Sequence, residues 1–293
     1  MTILQAFILF LAAIIGGTLN AVAGGGSFVT FPTLVFTGVL PIQANATSTV
    51  ALWPGSLASI GAYRRELGAL NRTIVVILGV TSLIGGALGA ALLLLTPQAT
   101  FVGLIPFLLL LATLLFAFSP RITAALRKRA EKDAAQTPPA ETTRMAEATP
   151  ATTATPAARS RGLGKTAVIS RRALAIFVFV QFLLAIYGGY FGGGLGIMML
   201  AALGIMGMEN IHEMNGLKTI LQASINGVAV VTFIIAGAVY WPQALVMVAG
   251  AIVGGFGSAY YARKIDPRYV RAFVILVGVG MTIYFFLHSL KVV

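Results

Sequence analysis

The stretch "NAVAGGGSFVTFP", residues 20–32, interrupts what would otherwise be one long apolar helix. Its three consecutive glycines, Gly24 to Gly26, lie between two apolar runs. Glycine in a helix interior costs roughly 1 kcal/mol relative to alanine. The stretch therefore predicts that one helix ends at the glycines and that another begins just after them, with Ser27 as its N-cap.

The composition indicates a membrane protein. Of the 293 residues, 58% are hydrophobic and only 10% are charged, whereas soluble proteins average about 25% charged residues. We therefore predict an all-α polytopic membrane protein that crosses a lipid bilayer several times. The chain has no cysteine, which excludes disulfides and thiolate metal sites.

The net charge of +12 is concentrated in one polar segment, residues 120–172. This segment holds eleven of the 20 Lys and Arg residues, is rich in Ala, Thr and Pro, and has no aromatic residue. Such a composition cannot bury enough apolar surface to fold, and basic residues of membrane proteins collect in cytoplasmic loops. We interpret the segment as a disordered cytoplasmic linker, not a nucleic-acid site, between membrane repeats at residues 1–119 and 173–293.

Each repeat contains five apolar segments, at about 3–23, 27–40, 46–63, 73–95 and 99–118, and at 173–190, 195–208, 215–236, 243–261 and 270–290. The glycine triplet recurs 168 positions later as Gly192 to Gly194. Five further residues recur 169 positions later, Ile42, Leu52, Gly68, Gly85 and Gly86 matching Ile211, Leu221, Gly237, Gly254 and Gly255. The two halves are therefore predicted to be homologous.

The charged loops predict that the two halves have opposite orientations. In the first half the loop between the third and fourth segments, residues 64–72, is basic; in the second half it is the loop between the fourth and fifth, residues 262–271. By the positive-inside rule these loops and residues 119–172 are cytoplasmic, and both termini are outside. This is the pattern of an inverted-topology repeat with helices broken at glycine-rich turns.

Paired helix breaks in two repeats indicate a transporter's binding site. Unwound backbone in a membrane is tolerated only where it is buried in protein or lines a polar cavity, and a helix N-terminus can bind an anion. The alternative is that the glycines only allow close helix packing, which is our interpretation for Gly85, Gly86, Gly254 and Gly255.

A polar cluster follows each break, and Lys218 in the second cluster lies within an apolar segment. Lys218, Asn215 and Gln222 share one helix face by their spacing. Lys218 is either a cationic anchor for an anion, a lysine that snorkels to the interface, or a partner of Glu209 or Glu213. His212 and Glu213 are either a proton relay or part of a solvated turn.

The predicted substrate-binding residues are Asn20, Gly24, Gly25, Gly26, Ser27, Asn45, Thr47, Ser48, Tyr187, Gly192, Gly193, Gly194, Asn215, Lys218 and Gln222. The sequence has no Ser-His-Asp set, metal-binding His pair or phosphate-loop lysine. We predict neither an enzyme nor a cofactor.

The glycine-rich breaks followed by "QANATSTVALWPGS" and "ENIHEMNGLKTILQASIN" make residues 16–56 and 187–226 similar to the sulfite exporter TauE/SafE family. The resemblance covers both halves and omits the linker. It implies a multi-pass transporter of the bacterial inner membrane for small sulfur-containing anions, such as sulfite or organosulfonates, linked to the proton gradient. The rival hypotheses are an anion channel, a transporter of another small carboxylate or inorganic anion, and a membrane scaffold that transports nothing.

Overall fold

The computed structural model describes residues 1–62, 68, 70–135, 171–206, 208, 210–261 and 267–289. Within these ranges the protein is all-helical and contains no β-strand. The helices are α1 (Ile3–Ala23), α2 (Ser27–Phe36), α3 (Pro41–Ala62), α4 (Arg72–Leu95), α5 (Gln98–Ala135), α6 (Arg171–Tyr190), α7 (Leu195–Ile205), α8 (Ile211–Ile235), α9 (Trp241–Tyr261) and α10 (Pro267–Ser289). Each of the ten apolar segments in the sequence thus corresponds to one helix.

Two helices, α3 and α5, extend furthest beyond the predicted segments. Helix α3 begins at Pro41, because proline is favoured in the first turn of a helix, where no N–H partner is required. Helix α5 continues through residues 120–135, where we predicted disordered linker. Ala, Leu, Arg, Lys and Glu dominate this stretch, and these are the strongest helix formers. Residues 136–170, the remainder of the linker up to α6, lie outside the described residues.

Among the described residues, four helices are long and apolar enough to cross a membrane, over Ile3–Asn20, Arg72–Leu95, Gln98–Phe118 and Glu213–Ile235. The apolar helices α2 and α7 are much shorter, at 10 and 11 residues. At a rise of 1.5 Å per residue each is about 15 Å long, about half the thickness of the hydrocarbon core. Neither can cross a bilayer alone.

Helix α2 folds back along α1. The Gly16 carbonyl lies so close to Gly26 that a Cβ on Gly26 would collide with it. At the other end of the pair, the Gln5 side-chain amide donates a 3.5 Å hydrogen bond to the Thr37 carbonyl, just after α2. The end of α2 therefore lies beside the start of α1, so the chain returns to the side from which it entered.

The helices of the two halves pack in matching pairs. Helix α1 packs along α9, and its counterpart α6 packs along α4, the counterpart of α9. Glycines allow both close approaches: a Cβ on Gly254 would collide with the Ile14 carbonyl, and one on Gly85 would lie 2.9 Å from the Phe182 carbonyl. These two pairs occupy equivalent sequence positions. Gly85 and Gly254 therefore have the packing role that the sequence indicated.

The core consists of two groups of buried apolar side chains. The larger joins α1, α2, α3 and α5 to α9 and α10, with Phe28, Phe31 and Phe101 fully buried in it. The smaller joins the first half of α4 to α6, α7 and α8 around Leu78 and Leu217. Together they enclose the two helix breaks.

Candidate functional site

The first break is closed by a left-handed glycine. Gly24 has φ 72° and caps the C-terminus of α1, and its N–H donates to the carbonyls of Leu19 and Asn20 at 3.1 Å each. A left-handed residue at this position is the usual way to end a helix. Helix α2 begins at Ser27.

The prediction that Ser27 is the N-cap of α2 is wrong. Gly26 occupies the N-cap position, with a backbone that is already helical at φ −57° and ψ −35°, and as a glycine it has no side chain that could cap the helix. The Gly26 carbonyl accepts the first helical bonds, from Val29 and Thr30. The Ser27 hydroxyl is consequently not used for capping.

The second break repeats the first with one difference. Gly192 has φ 74°, and its N–H donates to the Tyr187 carbonyl at 3.2 Å, five residues earlier, as Gly24 does to Leu19. Gly194 is the N-cap of α7 and is also left-handed, at φ 75°, unlike its counterpart Gly26. The two breaks therefore share their helix endings but differ at the start of the next helix.

The two breaks lie against each other. A Cβ placed on Gly24 would be 3.6 Å from the Cα of Gly196, in the first turn of α7. The side-chain amide oxygen (Oε1) of Gln222, on α8, lies close to this contact. It is 3.8 Å from the Cβ position of Gly24 and 3.3 Å from that of Gly196. The absence of side chains on both glycines allows a polar group to reach the junction.

A small cavity lies at this junction. Its volume is about 10 Å³, about the space that one water molecule requires. Its wall contains both members of two equivalent pairs, Asn20 with Gly188 and Gly24 with Gly192. The cavity therefore lies between the two halves. The remaining lining residues are Ser27, Thr49, Leu52, Phe191, Gln222 and Asn226.

Five of the predicted binding residues line the cavity, namely Asn20, Gly24, Ser27, Gly192 and Gln222. The other glycines of the two triplets pack against neighbouring side chains. A Cβ on Gly25 would lie 2.6 Å from the ring of Phe116, and one on Gly193 would lie 2.7 Å from the ring of Phe191. Gly194 packs against Ala112.

Three predicted polar residues of α3 bind other parts of the protein. Asn45 donates a 3.0 Å hydrogen bond to the Tyr190 carbonyl at the end of α6. The Thr47 hydroxyl accepts the Tyr240 N–H at 3.0 Å. The Ser48 hydroxyl lies 2.6 Å from that of Thr30, a hydrogen bond between α3 and α2. All three side chains are buried away from the cavity wall.

Tyr187 supports the second break, since its hydroxyl donates a 2.6 Å hydrogen bond to the Gly193 carbonyl. Lys218 lies one turn before Gln222 on α8, and its Cδ is 3.6 Å from the Cβ position of Gly196. In the described part of the chain Lys218 forms no hydrogen bond or ion pair, with Glu213 or any other residue. Asn215, one turn before Lys218, does not line the cavity.

His212 and Glu213 lie in the first turn of α8, not in a loop. The Asn210 amide donates to the Glu213 carboxylate at 3.2 Å, and the Glu213 N–H donates to the Asn210 side chain at 3.4 Å. The second of these bonds is an N-cap bond, from the N–H of the third helical residue to the Asn210 side chain, so Asn210 stabilises the start of α8. The His212 side chain and Glu209 lie outside the described residues.

The lining residues that the binding-site prediction omitted are Thr49, Leu52, Gly188, Phe191 and Asn226. The sequence spacing could have identified Asn226, since it lies one turn after Gln222 on the same helix face. Gly188 is equivalent to Asn20 at the repeat offset. Leu52 lies in α3 and Phe191 directly after α6; both are apolar residues beside or within apolar helices, which local sequence cannot distinguish from core positions.

A polytopic helical protein with an internal polar cavity between two interrupted helices has the architecture of a membrane transporter. The family model for the sulfite exporter TauE/SafE matches residues 9–285. The chain belongs to this family.

Curated relatives cover nearly the whole chain. A "Probable membrane transporter protein" of Haemophilus influenzae is 26% identical over 94% of this chain and 92% of its own length. The "Probable membrane transporter protein ORF9" of a Sinorhizobium species is 23% identical over 94% and 90%. The "Probable membrane transporter protein YfcA" of Escherichia coli K12 is 24% identical over 94% and 87%. No solved structure matches the chain.

Proposed function

We propose that this protein is a secondary active transporter of a small sulfur-containing anion, of the sulfite or organosulfonate class. It acts in the bacterial inner membrane, holds its substrate at the paired helix breaks near the bilayer midplane, and uses the proton gradient. The observation that carries the proposal is that both breaks meet at one buried polar cavity, which Gln222 lines, with Lys218 one turn away.

The features around the cavity favour an anion. Helices α2 and α7 both begin at the junction, at Ser27 and Leu195. Each helix N-terminus carries about half a positive charge and presents N–H groups that bind anions. Lys218 adds a cationic side chain without a partner among the described residues. The lining residues that the structure describes include no carboxylate.

The helix directions support an inverted repeat. The contacts of Gly250 with Phe10 and of Gly254 with Ile14 make α1 and α9 parallel, and those of Gly85 and Gly89 with α6 make α4 and α6 parallel. The charged loops predict the same directions, because α1 and α9 would both start outside and α4 and α6 would both start in the cytoplasm. In an inverted repeat, a single binding site can open alternately to the two sides of the membrane.

Flux into proteoliposomes tests the function. Purified protein is reconstituted, and uptake of labelled sulfite or of a small alkanesulfonate is measured with and without an imposed pH gradient. We expect accumulation above the external concentration only with the gradient, and a loss of uptake in Lys218→Ala. Flux that equilibrates but never accumulates would identify a channel instead. Accumulation of a carboxylate or an inorganic anion alone would reassign the substrate.

Cysteine labelling tests the topology, since the natural chain has no cysteine to interfere. Single cysteines at position 2 and at position 237 are expected to react with a membrane-impermeant reagent in intact cells. A cysteine in residues 262–271 is expected to react only after the membrane is opened. Reaction of the 262–271 cysteine in intact cells would indicate parallel halves.

A further inference from the structure

The side chain of Lys218 lies beside a helix N-terminus, where a positive charge is disfavoured. Its Cδ is 3.6 Å from the Cβ position of Gly196, the second residue of α7, and only Cε separates Cδ from the amine nitrogen. The N-terminal turn of a helix carries positive charge, and cations are stabilised at the opposite end. Gly24, two residues before the N-cap of α2, lies against the same glycine. Lys218 therefore brings a third positive group to the meeting point of two helix N-termini.

No described carboxylate compensates this charge. Helix α8 packs against α3, α4, α6 and α7, and α3 and α7 contain no ionisable residue. The ionisable residues of α4 and α6 are arginines at the helix starts and tyrosines near the end of α6, namely Arg72, Arg171, Arg172, Tyr187 and Tyr190.

The acidic residue of α8, Glu213, does not pair with Lys218 either. It lies five residues earlier, on a different face of the helix, and its carboxylate accepts a hydrogen bond from the Asn210 amide. The side chain of His212, the other ionisable residue of α8, lies outside the described residues. In the part of the chain that the structure describes, Lys218 has no hydrogen bond or ion pair.

The closed junction has no room for an anion beside Lys218. The cavity of about 10 Å³ accommodates one water molecule, which is much less than a sulfur atom with its oxygens requires. The two breaks must therefore move apart before an oxyanion can enter. In the closed arrangement, the two helix N-termini repel an ammonium at Lys218; in the opened arrangement, the anion attracts it.

This difference couples the proton on Lys218 to the anion. Taking an unpaired ion out of water costs several kcal/mol, and a lysine avoids this cost by releasing its proton, which an arginine does not do. A bound anion removes the cost by pairing with the ammonium. By linkage, binding of the anion and binding of the proton strengthen each other.

We propose that Lys218 is the proton carrier of this transporter. The Lys218 amine takes a proton from water on the side where the anion enters, keeps it while the loaded site changes sides, and releases it to water on the other side as the anion leaves. The lysine then returns as the neutral amine. This inference rests on the proposed function and deepens it, because it assigns the coupling to one residue. A permanent charge at position 218 would allow anion exchange but would hinder the return of the empty carrier.

The test separates exchange from net transport in the variant Lys218→Arg. Full-length protein is reconstituted into vesicles that contain a pH-sensitive dye, and labelled methanesulfonate is the anion because it stays ionised and carries no proton itself. In the wild type we expect one proton to move with each methanesulfonate. In Lys218→Arg we expect exchange to continue, while net flux and proton movement fall at least about tenfold, since each 1.4 kcal/mol of added barrier is tenfold in rate.

Glu213→Gln is the matched control, since it removes the nearest described carboxylate on α8 and retains an amide oxygen that accepts from Asn210. We expect it to keep proton-coupled net flux. A second measurement covers the case in which Lys218→Arg loses exchange as well. Calorimetry of methanesulfonate binding in two buffers with different ionisation enthalpies counts the protons taken up, and we expect uptake in the wild type at alkaline pH and none in monodisperse Lys218→Arg.

Proton-coupled net flux in Lys218→Arg at the wild-type rate would overturn the assignment, and so would equal proton uptake by the two proteins in calorimetry. Loss of coupling in Glu213→Gln alone would assign the proton to Glu213 instead. In each of these cases, methanesulfonate or sulfite transport by the wild type would leave the proposed function standing. A wild type that moves neither anion would overturn the proposed function, and this inference with it.

Discussion

The two helix breaks have the same sequence signature but different physical constraints. Both end their first helix with a left-handed glycine whose N–H reaches five residues back. The helix that follows begins differently: Gly26 is right-handed, and a Cβ there would collide with the Gly16 carbonyl, whereas Gly194 is left-handed and its Cβ position lies 3.3 Å from the Ala112 Cβ, a tight contact but not a collision with backbone. Equivalent glycines are therefore required for different reasons, close approach in one half and backbone conformation in the other.

The second break also has a support that the first lacks. The Tyr187 hydroxyl donates a hydrogen bond to the Gly193 carbonyl. The equivalent residue before the first break is Leu19, which has no hydroxyl. The Asn45 amide further binds the Tyr190 carbonyl just before the second break. The two breaks thus have similar backbones, and individual side chains make them unequal.

The largest expected effect distinguishes Gly26 from Gly194. Gly26→Ala would drive a Cβ into the Gly16 carbonyl, and we expect a loss of about 3 kcal/mol in the free energy of unfolding, because backbone cannot move aside as a side chain can. Gly194→Ala should cost about 1–2 kcal/mol through its left-handed backbone. Unfolding in detergent, monitored by circular dichroism, measures both.

Asparagine at these two positions provides the control. Asn tolerates the left-handed region better than Ala, so Gly194→Asn is expected to be less destabilising than Gly194→Ala. Gly26→Asn should bring no such relief, because the limit there is space. Similar costs at both positions for both residues would mean that the two glycines serve one purpose.

Lys218 and Thr49 occupy equivalent positions on α8 and α3, and they carry the next prediction. Lys218→Ala should weaken anion binding by about 1.5–3 kcal/mol, the usual contribution of a hydrogen bond to a charged group. Lys218→Arg should not fully restore it, because a planar guanidinium does not replace a compact ammonium. Thr49→Ala should have a smaller effect, since its hydroxyl bonds within α3.

Calorimetry on monodisperse variants measures these affinities. Unchanged binding in folded Lys218→Ala would make Lys218 a snorkelling or structural residue, and the site would depend on backbone and amide donors alone. A loss in Thr49→Ala as large as that in Lys218→Ala would show that the two halves contribute equally to anion binding.

A smaller effect is expected from Tyr187→Phe, which makes the second break resemble the first. Removing the hydroxyl leaves the Gly193 carbonyl without this donor, and we expect a loss of about 1 kcal/mol in unfolding free energy. Hydrogen exchange should become faster at residues 192–195. Tyr240→Phe, at an exposed tyrosine before α9, is the control and should change neither quantity.

No effect on transport is expected from the linker. Replacing residues 136–160 with a Gly/Ser segment of equal length should leave sulfite flux unchanged, because their composition favours no packed structure. The replacement begins after Ala135, where α5 ends. Reduced flux at normal expression would contradict the prediction that the linker takes no part in transport.

Local chemistry in the sequence was sufficient for much of the fold. Runs of apolar residues identified the ten helices that the described part of the chain contains, because a lipid-exposed backbone must satisfy its own hydrogen bonds. The glycine triplets predicted both interruptions, since three poor helix formers in succession affect any helix that contains them. The predicted start of the disordered linker, after residue 119, falls inside α5, because strong helix formers continue this helix to Ala135 after its apolar run has ended.

The tertiary structure determines which residues line the cavity. Asn45, Thr47 and Ser48, which we predicted to bind substrate, form hydrogen bonds with other parts of the protein and do not line this cavity, whereas Phe191, Leu52 and Asn226 do. In a soluble helix the apolar face identifies the core. In this protein the surfaces toward lipid and toward the core are both apolar, so sequence periodicity cannot tell which side of a helix faces the cavity. Only the crossing of α1, α3 and α8 at the two breaks determines that.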